Sequence, residues 1–261
     1  MSRSLLKNSR VYVDGYDLSG HTRSFGPLAT TFEEAIDDPI NASLKGTWAG
    51  QGTVSFGTLN AIFDNTATTG IHARLAGAGV QRTIIAALGF EAVPADNGIA
   101  WCGQQIQKDY IATPSDSPVI LTIPFSPSGA GSNQLYANPW GTLLHANAAE
   151  TAVNSTEYHD GLAASSFGGY MCYQVTTSAG AGSITATIKV QDSVDTTDGN
   201  FGDLLTSGVI NTGSGGVAVP TSGIVALSNT ATVKRYTRWQ IVLGTATSVT
   251  FLLCFVRNFH N

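Results

Sequence analysis

The feature of this sequence that most constrains its fold is the alternation of apolar and polar residues in short segments. Two segments show the alternation most clearly, with apolar positions Ile184, Ala186, Ile188 and Val190 in one and Val119, Leu121, Ile123 and Phe125 in the other. A period of two is typical of a β-strand that buries one face. Both segments are therefore predicted to be strands with a buried side.

Further strands are predicted along most of the chain, separated by turns rich in Gly, Ser and Thr. The clearest are residues 83–88, 99–110, 167–176, 223–227, 235–243 and 248–258. Residues 42–56 form another, and their glycines indicate a β-bulge. Near the start, Val11 and Val13 precede Asp14-Gly15, a dipeptide favoured in tight hairpin turns. Many short strands of this kind predict a mainly β protein, either a sandwich or a barrel.

Helical spacing is rare in this sequence. Leu59, Ile62 and Phe63 follow the i, i+3, i+4 pattern of one helix face, and Thr58 is a suitable N-cap. This pattern predicts a helix that begins at Thr58. A weaker helical pattern covers Ile71–Ala76 and ends at the glycines that follow.

One segment divides the chain by composition. Residues 126–134, SPSGAGSNQ, combine Ser, Pro, Gly and Asn between two strand-rich halves, as linkers do. We therefore expect a β domain over residues 1–126, a linker over 127–134 and a second β domain, a sandwich, over 135–261.

The charge content is unusually low. Only 12% of residues are charged and the net charge is −5, whereas about 25% is ordinary for a soluble domain. With 13 basic and 18 acidic residues, the chain lacks the excess of Lys and Arg that a nucleic-acid-binding surface requires. No apolar run is long enough to span a membrane as a helix, and the N-terminus lacks the apolar core of a signal peptide. A surface with so few charges suggests that other subunits cover much of it.

The residues of common catalytic and metal sites do not form a recognisable motif. The five histidines are scattered, and neither a metalloprotease motif, a nucleophile elbow nor a phosphate loop is present. The three cysteines are far apart in sequence, so we expect buried, unpaired thiols in a reducing compartment. Asp192, Asp195 and Asp198 lack the spacing of a calcium loop and are interpreted as part of a hairpin loop. We expect no catalysis, no metal and no cofactor.

Two charged groups are candidate assembly contacts. Residues 30–41 carry four acids, Glu33, Glu34, Asp37 and Asp38, either in a solvated loop or in a projecting loop that contacts a neighbouring subunit. The basic residues Lys234, Arg235 and Arg238 form a small cluster, which suits an outer strand face or salt bridges between subunits. The acidic segment is an evident partner for that basic patch.

The segment Arg10–Gly20, RVYVDGYDLSG, resembles the start of siphophage major tail proteins, also called tail tube proteins. The acid-rich segment, the Gly-interrupted strand and a short helix near residues 59–63 follow in a similar order. Residues 184–205 and 233–258 are similar to β-sandwich segments common in phage virion proteins. The resemblance implies a tail-tube-type β-sandwich or barrel with one short α-helix, followed by a second β-sandwich domain.

The same resemblance implies a structural role in the virion tail. Such subunits form hexameric rings, and the stacked rings make a tube with an acidic lumen through which the genome passes without binding. The implied partners are copies of the chain itself, the tail terminator and the distal tail protein, with assembly in the host cytoplasm. Segment 30–41 would then reach a neighbouring subunit or ring, and residues 135–261 would form an outer domain or a second tube-forming one.

Two other functions fit the same composition. A capsid decoration protein would also be rich in β structure, Gly and Thr. A carbohydrate-binding sandwich would use Trp101, Trp140 or Trp239 as sugar platforms, whereas the structural alternative is that each tryptophan packs in the core.

Overall fold

The computed structural model describes residues 6–37, 46–67, 69–89, 92–114, 118–128, 138–151, 157–215 and 217–258. These residues form twenty β-strands, one α-helix, α1 (Ile71–Leu75), and short 3₁₀ turns at Leu6–Asn8 and Asp198–Asn200. The predicted mainly β class is confirmed.

Ten strands precede residue 128. They are β1 (Arg10–Val13), β2 (Tyr16–Asp17), β3 (Thr22–Gly26), β4 (Ala29–Asp37), β5 (Gly46–Ser55), β6 (Thr58–Ile62), β7 (Val80–Ala87), β8 (Gly98–Gln107), β9 (Ile111–Thr113) and β10 (Ile120–Pro127).

Ten more follow in the second half. They are β11 (Trp140–Glu150), β12 (His159–Asp160), β13 (Gly169–Gly180), β14 (Ser183–Ser193), β15 (Gly202–Thr206), β16 (Ile210–Ser214), β17 (Val217–Ala218), β18 (Thr221–Ala226), β19 (Tyr236–Leu243) and β20 (Ala246–Arg257).

The largest sheet contains strands from both halves, in the order β18-β13-β20-β11-β8-β10-β6-β3. Strand β8 lies at its centre: its first residues pair with β11, its last residues pair with β10, and its other edge pairs with β7. Strand β7 continues to β1 and β2. A second sheet has the order β12-β19-β14-β16-β17, with β15 on β14, and β4 and β5 form a third sheet by themselves.

Three hydrophobic cores result from the alternation along these strands. In β7, Ile84 and Ala86 join a core built from the first half, whereas Ile85 and Ala87 join a core shared by both halves. In β20, Leu252, Cys254 and Val256 face the shared core, and the intervening residues face a core of the second half alone. Strands β7 and β20 are thus buried on both faces.

The shared core bears on the expected division of the chain. It combines residues from β1, β7 and β8 with residues from β11, β13 and β20, on opposite sides of segment 127–134. Residues 129–137 of that segment lie outside the described ones. The division at this position stays a prediction, and any two domains defined by it would share an extensive apolar contact.

The helix predicted from Thr58 is wrong. Residues 58–62 form strand β6, which pairs with β3 on one side and β10 on the other. Leu59 and Ala61 are buried while Ile62 is exposed, which is the alternation of a strand. The helix near residues 59–63 that the resemblance implied is therefore also absent. The weaker pattern proves to be the helix, since Ile71–Leu75 forms α1.

Candidate assembly surfaces

The Asp14-Gly15 turn is the centre of the motif that carries the family resemblance. It joins β1 to β2, and both residues have positive φ angles, 50° at Asp14 and 86° at Gly15. The Asp14 carboxylate accepts hydrogen bonds from the backbone N–H of Thr83 at 2.9 Å and from Arg82 at 3.0 Å. The predicted hairpin is confirmed, and its aspartate fastens the turn to β7.

The same turn also contacts the second half of the chain. The N–H of Gly15 donates to the side-chain oxygen of Gln174, and the Gln174 amide donates to Thr83 O at 2.9 Å. A Cβ atom at Gly15 would lie 2.5 Å from the backbone nitrogen of Thr221. Glycine is therefore required by close packing between the two halves as well as by the turn.

The remaining motif residues complete this local structure. Asp17 accepts a hydrogen bond from the N–H of Ser19 at 2.9 Å, and the Ser19 hydroxyl accepts one from Val11 N–H at 2.9 Å. Leu18 is fully buried in the first-half core. These motif residues thus have structural roles, so this part of the motif indicates how the chain folds at its start.

The β4–β5 hairpin is the candidate contact of the first half. Its strands pair only with each other among the described residues. A register shift between Phe32 and Glu34 marks the β-bulge that the glycines of β5 predicted. The base is anchored by Gln105, which donates to Val54 O at 3.0 Å and accepts from Phe56 N–H at 3.3 Å.

The four predicted acidic residues lie along or beyond strand β4, where a loop was expected. Glu33 is an exposed residue of β4, and Glu34 and Asp37 belong to the same strand. Asp38 lies outside the described residues. Whether these acids contact another subunit stays a prediction.

The three predicted basic residues each have an acidic partner within the chain. Lys234 lies 3.3 Å from Asp192, Arg235 forms a bidentate pair with Asp160 at 2.7 and 2.8 Å, and Arg238 pairs with Asp198. Arg238 is also buried, donates to Gln191 at 2.9 Å and covers the ring of Phe201 at 4.2 Å.

Because of these ion pairs, the charges of the basic cluster are already neutralised within the chain. Its charges are balanced by acids of the second half, Asp192, Asp160 and Asp198. The hydrogen bonds from Arg235 lower the pKa of Asp160 to about 2, so both members stay charged at neutral pH. The partner acids could not be identified from the sequence, since Asp160 and Arg235 are 75 residues apart.

The loop after β14 matches its interpretation as a hairpin loop. Asp195 accepts hydrogen bonds from the N–H of Thr197 and from the side chain of Asn200, and these bonds lower the pKa of its carboxyl. In the described part of the chain, no group of three His, Cys, Asp or Glu side chains could hold a metal ion.

The tryptophans divide into buried and exposed positions. Trp101 is fully buried in the first-half core and Trp239 is buried in the second-half core. Core packing therefore excludes both as surface sugar platforms. Trp140, at the start of β11, is 36% exposed.

The three cysteines are buried and unpaired, as predicted, but the fold brings them together. Cys102, Cys172 and Cys254 all lie in the shared core, and Cys172 is directly opposite Cys254 in the β13–β20 ladder. Burial raises the pKa of the Cys172 and Cys254 thiols well above the ordinary value. Their spacing of 70 residues or more gave no sign of this convergence.

Comparison with protein-family models and with curated proteins gives no match. Among solved structures, the chain is similar to the Dit protein (gp 19.1) of phage SPP1, described as a paradigm of the hub adsorption apparatus in phages that infect Gram-positive bacteria. The identity is 12%, the TM-score is 0.33, and the alignment covers 97% of this chain and 99% of the other. A likeness at this level is too distant to carry an argument about function. No helix in the described residues is long and apolar enough to cross a membrane.

Proposed function

We propose that this chain is a structural subunit of a bacteriophage tail that forms hexameric rings, and that the stacked rings make the tube through which DNA is delivered. Its working parts are contacts with copies of itself, and it performs no catalysis. The tail terminator and the distal tail protein are its proposed partners at the tube ends. The proposal also includes assembly in the host cytoplasm and a final location in the virion.

The observation that carries this proposal is the β4–β5 hairpin. Two strands of nine and ten residues pair only with each other among the described residues, so each has a second edge without a strand partner. A long unpaired edge is a template for strand pairing between chains. Six hairpins arranged in a ring could pair edge to edge and close into a barrel, which removes all free edges.

The acidic residues of the hairpin support the same role. Glu33, Glu34 and Asp37 belong to β4 and Asp38 follows it. Cations in a tube would hold DNA, because each phosphate contact releases counterions and strengthens binding. A lumen that carries carboxylates instead repels the phosphates and lets DNA move.

The low charge content is explained by assembly. Obligate interfaces are more apolar than ordinary surface, so a ring subunit with neighbours on several sides needs few charges. In the basic cluster, Arg238 is buried, which leaves Lys234 and Arg235 as the residues that could also contact a neighbour.

The test is electron microscopy of the purified chain in negative stain. We expect hollow rings or filaments with sixfold symmetry. Reversing the four acids (Glu33, Glu34, Asp37 and Asp38 to Lys) should abolish assembly with little change in the melting temperature of the monomer. The matched control reverses Asp109 and Glu157, two exposed acids outside the hairpin, and should assemble normally.

Two results would contradict the proposal. A chain that stays monomeric at high concentration would contradict ring formation. Normal rings from the quadruple variant would contradict the contact role of the four acids, which would then be solvated surface residues. The competing role, capsid decoration, is decided by labelling virions with an antibody to this chain, because a decoration protein would be found on heads.

A further inference from the structure

A cavity of about 270 Å³ lies beside the start of β1, between the 3₁₀ turn that precedes this strand and β3. Two cations, Lys7 and Arg23, line it together with the hydroxyl residues Ser9, Ser19 and Thr22. We call these five residues the basic pocket. Its volume is below the range of about 300–1,000 Å³ that is usual for small-molecule sites, so it suits a single side chain.

A β-bulge brings Arg23 to this pocket. In the β3–β6 pair, Thr22 is opposite Ala61 and Ser24 is opposite Asn60, so Arg23 is an extra residue in its strand. A bulge interrupts the alternation of faces and redirects a side chain. Thr22 and Arg23 are neighbours in sequence and yet line the same cavity. The bulge therefore adds a second cation to a pocket that the turn before β1 already supplies with Lys7.

The two positive charges are not neutralised by the part of the chain that the structure describes. Lys7 and Arg23 are both exposed, and neither forms an ion pair with a described residue. Asp17, the acid nearest to Arg23 in sequence, lines a different cavity together with Arg10 and Tyr12, which alternate along the chain with residues of the basic pocket. The basic pocket thus has two charges available for a partner.

The hydroxyl groups add hydrogen-bond donors to the same pocket. Ser19 accepts the N–H of Val11 at 2.9 Å, so its own proton is left for an acceptor in the cavity. Ser9 is 7% exposed and lies in the wall, whereas the Thr22 hydroxyl already donates to Leu18 O at 2.8 Å. An ammonium, a guanidinium and hydroxyl protons together suit an anion, and a guanidinium can bind a carboxylate through two parallel hydrogen bonds.

The chain itself carries carboxylates that need such a partner. Glu33 is an exposed residue of β4 and forms no ion pair with a described residue, and Glu34 and Asp37 belong to the same strand. The hairpin and the basic pocket are different surfaces of one chain. A contact between them in two copies is therefore head-to-tail, and such contacts repeat until a ring closes or a filament grows.

We infer that the basic pocket receives the acidic strand β4 of a neighbouring copy of this chain, with the Glu33 carboxylate between Lys7 and Arg23. The inference rests on the proposed self-assembly and names the surface that the hairpin contacts. Charge complementarity favours this surface over the basic cluster of Lys234 and Arg235, because those two cations are already paired with carboxylates of their own chain.

The first test is cross-linking of the full chain at zero length. Isotope-labelled and unlabelled chains are mixed and treated with a water-soluble carbodiimide, which joins a lysine amine to a carboxylate in contact with it. Mass spectrometry should find Lys7 joined to Glu33 in peptide pairs with one labelled member, which identifies a contact between copies. The inference is overturned if Lys7 is joined only to acids outside β4, only within one copy, or to none.

The second test exchanges the two charges. Arg23→Glu and Glu33→Arg should each raise the concentration needed for assembly about tenfold or more, because removing one partner of an interfacial charge pair weakens association. The double variant should restore assembly. Lys108→Glu is the matched control, since Lys108 is another exposed cation that forms no ion pair with a described residue. The control should assemble like the parent chain, and all variants should keep the parent melting temperature.

The outcomes separate this inference from the proposed function. Rings that form normally with Arg23→Glu, an equal loss with Lys108→Glu, or a double variant that is not restored would overturn the inference and leave ring formation standing. A chain that shows the Lys7–Glu33 link but never forms rings would support the contact and contradict the rings. Calorimetric binding of inorganic phosphate that Arg23→Glu abolishes, in a chain without the link, would assign the pocket to a free anion instead.

Discussion

Buried glutamines make several of the long-range contacts that define this fold. Gln107 donates to the carbonyl of Leu75 at the end of α1, at 2.7 Å, while Gln105 bonds to the base of the β4–β5 hairpin. Gln174 bonds to Gly15 and Thr83 across the two halves. An amide side chain suits these positions because it both donates and accepts, so one residue can satisfy two backbone groups.

Gly15 gives a prediction at a single position. Gly15→Ala should destabilise the protein by about 2–4 kcal/mol, because the new Cβ must occupy a left-handed backbone position and meets backbone atoms of the second half. Urea unfolding followed by fluorescence measures the change. Gly20→Ala is the control, since no atom lies within 4 Å of a Cβ there, and equal effects of the two substitutions would refute the packing argument.

The Asp160–Arg235 pair gives a prediction for pH. The folded-state pKa of Asp160 is about 2, below the value near 3.9 of an unfolded chain. A lowered carboxyl pKa adds stability above the unfolded pKa, and that stability is lost as the pH falls through the folded one. Asp160→Asn should therefore lower the melting temperature at pH 7 but hardly at pH 2. A difference in melting temperature that is independent of pH would show that the ion pair contributes nothing.

At the scale of elements, β6 shows that strand pairing outweighs a helical spacing of apolar residues. Leu59, Ile62 and Phe63 fit a helix face in sequence, yet backbone groups of residues 58–62 bond to β3 and β10. Each strand neighbour supplies a row of hydrogen bonds, and the strand buries Leu59 and Ala61 completely. A short isolated helix has marginal stability in water, so the segment adopts the conformation that its neighbours complete.

Two substitutions distinguish these conformations. Leu59→Ala should cost about 2–5 kcal/mol, since it leaves a cavity in the first-half core. Ile62→Ala should cost under about 1 kcal/mol, because that side chain is 39% exposed. Thermal unfolding of both variants measures the contrast. Equal losses would favour the helix, in which the two residues share a face.

At the scale of the whole molecule, the shared core makes the two halves depend on each other. Strands such as β7 and β20 divide their side chains between the shared core and the core of their own half. If either half stood alone, the face of its middle strands that belongs to the shared core would be exposed to water. Cooperative unfolding of the chain as one unit is the expected consequence.

Gln174→Leu tests this dependence. The substitution removes two buried hydrogen bonds, which join the Gln174 side chain to Gly15 and to Thr83. We therefore expect the free energy of unfolding to fall by about 2–5 kcal/mol. Calorimetry should show the single transition broaden or separate in two. Gln81→Leu, at an exposed glutamine of β7 whose amide donates to the Ser128 hydroxyl, should lower the melting temperature less and leave a single transition. An unchanged single transition for Gln174→Leu would refute the coupling of the two halves.

The sequence by itself determined the features that depend on neighbouring residues. Alternation predicted the strand face Ile184, Ala186, Ile188 and Val190, all of which are buried. The Asp14-Gly15 turn, the bulge in β5 and the burial of the cysteines were predicted for the same reason. Strand period, turn geometry and side-chain polarity act within a few residues, so they can be read without knowing the fold.

Only the tertiary structure decided which segments meet. It placed residues 30–37 of the acidic segment in one strand of a hairpin. It also gave Arg235 a partner 75 residues away and brought three distant thiols into one core. It also buried Trp101 and Trp239 while leaving Trp140 partly exposed. Pairing between strands far apart in sequence is fixed by the packing of whole sheets, so it cannot be predicted from a local sequence pattern.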